Sequence, residues 1–363
     1  MEVQHPAAKL ITMASKMQED ECGDGTNFVI TLAGELLEQA ESLIKMGLHP
    51  SLILAGYEEA SKKCLEILDS LEAKKCADPR NLEEVKNLLK SPLSSKLTEK
   101  ADFFSGLIGE ACVRCLPENV SNFNIEHIRV NKIIGASLED SFVMPGLIIV
   151  RNPETPAATI KKPRIAVYGV PLDTQNAETK GSILLKNAKE LLEYTKGEEA
   201  IAENLVLGLK NANINFVVVG GTVSELIIHF LQKYDIGCLK ITSKFELRRM
   251  SKALQATCLV RLGAPVEEEV GYCDEISVEE ISSQKVTVFK KDTETCKLTT
   301  IVLRGSTMNL LDDVERAIDD AVNCYRCLIR DPRFVFGGSA VELVTNSKLI
   351  SSNWQRNWKP KQT

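Results

Sequence analysis

The sequence predicts a multidomain α/β protein in which a helical region is interrupted by an α/β insert and then resumes. Three observations carry this reading. Residues 8–68 place apolar side chains at helical spacing without a β-type run. From about Gly135, short β-type runs alternate with charged helical ones. From about Lys297 one more strand pattern, KLTTIVLRG, leads back into a long helix. The chain has 363 residues, and at ~150 residues per domain that is two or three domains.

Taken in order, AKLITMASKM (8–17) has helical apolar spacing and is followed by the acidic stretch 18–21. Gly23-Asp24-Gly25-Thr26 breaks the pattern. In the next helix Phe28, Val29, Leu32, Leu36, Leu37, Ala40, Leu43 and Ile44 recur at three and four. Gly47 stops it, and Pro50 suits the first turn of a helix through about Leu68. Residues 76–135 read as mainly helical but broken, with Asp78-Pro79 and Ser91-Pro92 marking helix starts. The β-type runs are 146–150, 164–170, 214–220, 237–242 and 285–290. A helix is expected over 308–329, then a break at Asp331-Pro332 and the turn Gly337-Gly338-Ser339.

Composition removes several classes. Lys plus Arg is 44 and Asp plus Glu is 50, a net charge of −6, which argues against a nucleic-acid scaffold. No apolar run is long enough for a membrane helix, and the N-terminus lacks a secretory pattern. The 11 cysteines are an odd, scattered set and fit a reducing cytoplasm. Cys112-Val-Arg-Cys115 and Cys324-Tyr-Arg-Cys327 form two CxxC pairs. Their wide separation and helical surroundings argue against a zinc site, so they read as small buried hydrophobes and no metal is assigned to them.

Three constellations could carry chemistry. Gly23-Asp24-Gly25-Thr26-Asn27 joins two glycines to a helix start, which suits an anion, with Asp24 able to hold Mg²⁺. Taken alone the run is more simply a turn with a Thr cap. Asp320 lies off the expected apolar face of the 308–329 helix (Leu311, Val314, Ile318, Ala321, Val322, Tyr325) and could activate a water; alone it is a solvated acid. Gly337-Gly338 could approach a nucleotide, or simply form a loop. Gly220-Gly221 lacks the third glycine of a dinucleotide fingerprint.

In this order VQHPAAKLI, GDGTNFV, a long insert, TIVLRGSTMNLLDDVERAIDDAVN and FVFGGSA resemble the group II chaperonin subunits. Asn27, where most subunits have a second Thr, sides with the theta-type subunits of the eukaryotic cytosolic chaperonin (CCT/TRiC), as do KGEE at 196–199, ITSKFELRRMSKAL and LRGST. The resemblance runs over about residues 2–345. It implies the chaperonin fold, with helical equatorial, mixed intermediate and α/β apical domains. It implies a molecular chaperone subunit of a cytoplasmic ATP-dependent double ring that folds client proteins. The implied partners are other chaperonin subunits and unfolded clients, with neither nucleic acid nor membrane.

The implied cofactors are ATP and Mg²⁺. Gly23, Asp24, Gly25, Thr26 and Asn27 match the phosphate and magnesium loop, with Asp24 as the metal contact. Asp320 matches the catalytic, water-activating aspartate, and Gly337 and Gly338 match the adenosine-side glycines. The implied domains are a partial equatorial ATPase domain (1–76), an intermediate domain in two pieces (77–135 and 298–332), an apical substrate-binding domain (136–297) and an equatorial remnant with a divergent tail (333–363). SILLKNAKELLEYTKGEEAIAENL resembles the helical lid protrusion, and the helices around 222–234 and 244–255 would border the client groove.

The sequence also departs from the family. It has no Gly-Pro dipeptide to match the upstream nucleotide loop, Ser339 stands for the third glycine, and residues after about Val344 diverge. The expectation is a chain truncated at both ends that by itself neither hydrolyses ATP nor assembles well. The alternative is a non-catalytic isoform or interaction protein that retains mainly the apical domain.

Overall fold

The computed structural model describes residues 3–156, 159–173, 187–282, 284–291 and 298–351. Among them are ten α-helices: α1 Pro6–Cys22, α2 Thr26–Lys45, α3 Pro50–Asp69, α4 Leu82–Ser94, α5 Ala101–Cys115, α6 Ala188–Asn211, α7 Glu225–Lys233, α8 Lys244–Leu254, α9 Met308–Arg330 and α10 Ala340–Ser351. The protein is mixed α/β with several sheets. Its residues group into two compact units: Met1–Val113, Glu118–Ile125 and Val314–Thr363 form the first, and Arg114–Pro117 with Glu126–Asp313 form the second.

In the first unit, α1 and α3 start alike. Pro follows His5 and His49, whose ring nitrogens accept the backbone N–H of Ala7 (3.2 Å) and Ser51 (3.3 Å). The helix expected over 8–17 runs on through the acidic stretch to Cys22. It stops only where Gly23 turns left-handed (φ +74) and donates its N–H to Glu19 O.

Most of the buried core of this unit lies on α4, α5 and α9, and α3 adds Ile53 and Ile67. Helix α4 buries Val85, Leu89 and Leu93 at successive turns. Pro92 sits inside α4 rather than starting a helix. Proline there costs one backbone bond in the last turn, and the burial of Leu93 at the next position offsets it. Helix α5 buries Phe104, Ile108, Ala111 and Cys112. A Cβ at Gly109 would lie 3.4 Å from Leu82 and 3.7 Å from Val85, ordinary van der Waals contact, so α5 lies directly against α4 here. Helix α9 buries Val314, Ala317, Ile318, Ala321, Val322, Tyr325 and Leu328. Tyr325 donates its hydroxyl to Pro79 O (2.8 Å) and meets Phe123 edge-on, with ring centroids 5.2 Å apart.

Helices α1 and α2 differ. Helix α2 buries no residue, and Leu10, Met13, Met17, Phe28, Leu32 and Leu37 are all exposed. Strand Lys74–Lys75 pairs with Arg333–Phe334. Arg333 bonds both Asp331 and Asp69 and holds the Asp331 carboxyl down to about 2.

The second unit is built on sheets. Arg164–Tyr168, Phe216–Val219 and Gly237–Lys240 run parallel, with Val167 opposite Val218 and Val218 opposite Leu239. Cys258–Leu259 (parallel) and Gly271–Tyr272 (antiparallel) both pair with the outer edge of Arg164–Tyr168. These strands are apolar on both faces because both are covered. One face packs on Ala202, Val206 and Leu209 of α6 and Ile227 and Leu231 of α7. The other packs on Leu247, Met250 and Leu254 of α8, together with Ile276 and Phe289. Those two residues belong to a second, antiparallel sheet in the order Leu147–Ile149, Gln284–Lys290, Glu275–Ile281, Ile160–Lys161.

A three-stranded sheet has Thr299–Gly305 at its centre, parallel to Ile128–Ile134 and antiparallel to Phe142–Pro145. The strand at 128–134 lies in a stretch expected to be mainly helical. Its partner is about 170 residues away in sequence, so no local pattern announces the pairing. Residues 182–186 of the expected lid protrusion lie outside the described residues. The later part of that run belongs to α6, whose Ala202 is in the core.

Candidate functional site

The first candidate run forms the turn between α1 and α2. Gly23 and Gly25 have φ of +74 and +82, conformations that glycine adopts without a Cβ penalty. Asp24 Oδ1 accepts the Gly25 N–H (2.7 Å), Gln18 Nε2 donates to Asp24 O (3.1 Å), and Ser15 Oγ donates to Thr26 O (3.3 Å). The turn is therefore held by side chains of α1. Helix α2 starts at Thr26 with no side-chain cap, so the first-turn N–H groups have no capping acceptor. Asp24 and Asn27 are exposed beside them.

This turn lies against α9. A Cβ on Gly23 would fall 2.1 Å from Asn323 Cγ. The end of α1 is fixed there as well: Arg326 Nη2 donates to Glu21 O (3.0 Å) and Asp20 O (3.5 Å), and Arg330 Nη1 donates to Glu21 O (3.3 Å). Asn323 is three residues beyond Asp320 on the same helix, a rise of about 4.5 Å. The structure thus brings the first two candidate sites to neighbouring turns of one helix.

The Asp320 side chain is largely buried, with 18% exposed, and forms an ion pair with Lys96, just past the end of α4. Asp320 Oδ2 has no hydrogen-bond partner among the described residues beyond that ion pair. Such a pair fixes the carboxylate while adding little to stability, because desolvation offsets the attraction.

Gly337 and Gly338 are exposed, with open space where a Cβ would sit, and lead into α10. No hydrogen bond among the described residues joins them to the turn or to Asp320. Ser339, at the third-glycine position, is left-handed (φ +62), a conformation that costs a non-glycine residue ~1 kcal/mol or more.

Cys112 and Cys115 are buried, whereas Cys324 and Cys327 are partly exposed. Burial pushes the Cys324 thiol up to about 11. Among the described residues no group of three or more His, Cys, Asp or Glu is placed to hold a metal. On α8, Leu247 and Met250 are core residues, and Phe245 stands out with 76% exposure. Gln18, Lys96, Asn323 and Arg326 shape the site without a sequence motif; only the three-residue spacing of Asn323 from Asp320 could have pointed to one of them.

The pattern of the TCP-1/cpn60 chaperonin family matches residues 1–357. The chain belongs to this family. It is 44% identical to the T-complex protein 1 subunit theta of Dictyostelium discoideum over 349 residues, covering 96% of this chain and 65% of that protein. The subunits theta of Mus musculus and Homo sapiens are each 44% identical over 351 residues, covering 97% of this chain and 64% of theirs. The likeness to theta-type subunits expected from Asn27 is therefore met, and the chain spans just under two thirds of these relatives' length. Among the described residues no helix is long and apolar enough to cross a membrane.

Proposed function

We propose that the chain is a subunit of a cytoplasmic, ATP-dependent, hetero-oligomeric chaperonin that folds client proteins. One observation carries the nucleotide part: the left-handed Gly23-Asp24-Gly25 turn at the uncapped start of α2 packs on α9 within one helical turn of Asp320. The residues present fit a magnesium nucleotide. The amides at the start of α2 and the Thr26 hydroxyl suit phosphate oxygens, Asn27 lies beside them, and the exposed Asp24 carboxylate suits a hard cation. When bound, Mg²⁺ neutralises phosphate charge. Asp320 orients a water and accepts its proton, and Lys96 sets the carboxylate's position. Gly337 and Gly338 take the adenosine side in this proposal.

The exposed apolar side chains of α1 and α2 support association with other subunits, because patches of this kind mark protein interfaces. In the same reading, residues 1–76 and 333–363 belong to the equatorial domain, 77–135 and 298–332 to the intermediate domain, and 136–297 to the apical domain. Phe245, exposed among Lys244, Arg248 and Arg249, suits mixed polar and apolar contact with clients. The Asp320–Lys96 ion pair also fits a second reading, a non-catalytic interaction protein in which that carboxylate stays occupied.

Co-purification distinguishes the two. The tagged chain, expressed in eukaryotic cells, is expected to elute with other chaperonin subunits at the size of a multi-subunit ring. Elution as a free monomer would refute the assembled role.

A further inference from the structure

We propose that Cys22 and Cys327 are an oxidation-sensitive pair whose disulfide ties the end of α1 to α9. The Cys327 thiol donates to the backbone carbonyl of Cys22, with Sγ 3.6 Å from the oxygen. The backbone there is fixed: Arg326 and Arg330, on either side of Cys327, bond Asp20 O and Glu21 O, just before Cys22. The thiol contact sets Cys327 directly against the Cys22 backbone, and a disulfide between them requires Cα atoms about 4.4–6.8 Å apart. Both residues are partly exposed, so a small oxidant can reach them.

The pair has a structural consequence. Cys22 directly precedes Gly23, so a bridge to Cys327 would anchor the Gly23-Asp24-Gly25 turn to α9 covalently. It would close a loop spanning most of the chain, the kind of crosslink that constrains the unfolded state most. The reaction balances as thiol–disulfide exchange with a low-molecular-weight disulfide. One cysteine thiolate attacks that disulfide, releases one small thiol and forms a mixed disulfide. The second cysteine then displaces the other small thiol and forms the Sγ–Sγ bond. The protein loses two thiols, and the oxidant is reduced to two small thiols.

The proposal does not rest on nucleotide binding, and its test needs no nucleotide. The purified chain is incubated with oxidised glutathione, alkylated and digested, and its peptides are mapped by mass spectrometry. A linked Cys22–Cys327 peptide is expected, with no glutathione retained on either residue. The oxidised chain should melt several degrees above the reduced one. Cys22→Ser and Cys327→Ser should each abolish the link and the melting shift, whereas Cys324→Ser should keep both. Alkylation of both Cys22 and Cys327 after oxidation, or a bridge mapped to Cys324–Cys327, would overturn the proposal.

Discussion

Gly23→Val is expected to destabilise the first unit by about 3 kcal/mol, from strain and a clash together. Gly23 sits at φ +74, where a β-branched residue is strained. Its new Cβ would overlap Asn323, 2.1 Å from Cγ and 2.5 Å from Cβ. Asn323 cannot swing away freely, because its Nδ2 donates to Asp319 O at 2.9 Å. For a unit of this size, calorimetry should record a fall in Tm of about 6–12 °C. Pairing Gly23→Ala with Asn323→Gly removes the clash and leaves the backbone strain. The double variant should therefore recover part, not all, of the loss seen in Gly23→Ala alone. An unchanged Tm in Gly23→Val would mean that the turn does not pack on α9.

Asp320→Asn carries the largest expected functional effect. The amide is nearly the same size as the carboxylate but cannot accept a proton, so the fold and nucleotide affinity should persist while turnover fails. In a ring that contains the chain, single-turnover ATP hydrolysis at this subunit should drop by about 10²–10⁴-fold, the usual contribution of a positioned general base. The variant also loses the ion pair with Lys96, so melting should be measured alongside. A parallel loss of binding and turnover would point to a structural role for the carboxylate instead.

Local pattern made parts of the fold legible and left others hidden. The stripe on α9 was readable because Leu311, Val314, Ile318, Ala321, Val322 and Tyr325 repeat at helical spacing, and all are buried. The parallel strands around Phe216–Val219 were readable as short apolar runs between charged helices. The strand Ile128–Ile134 was not, because its identity comes from pairing with Thr299–Gly305. Pro92 misled because proline often opens a helix, and only the burial of Leu93 shows why α4 continues through it.

The candidate site divides the same way. Gly23, Gly25 and Asp24 stand out in sequence, since paired glycines beside an acid are uncommon within helical patterning. Gln18 and Ser15 support the turn from one helix, Asn323 and Arg326 from another about 300 residues away, and neither set follows a motif.

In the proposed function the Gly23-Asp24-Gly25-Thr26-Asn27 turn holds a magnesium nucleotide. The most direct test is calorimetric titration of the ring-assembled chain with ATP, with and without Mg²⁺, in the wild type and in Asp24→Ala. The wild-type chain is expected to bind ATP saturably and only with Mg²⁺, and binding should weaken at least ten-fold in Asp24→Ala. Equal binding by both proteins, or binding indifferent to Mg²⁺, would contradict it.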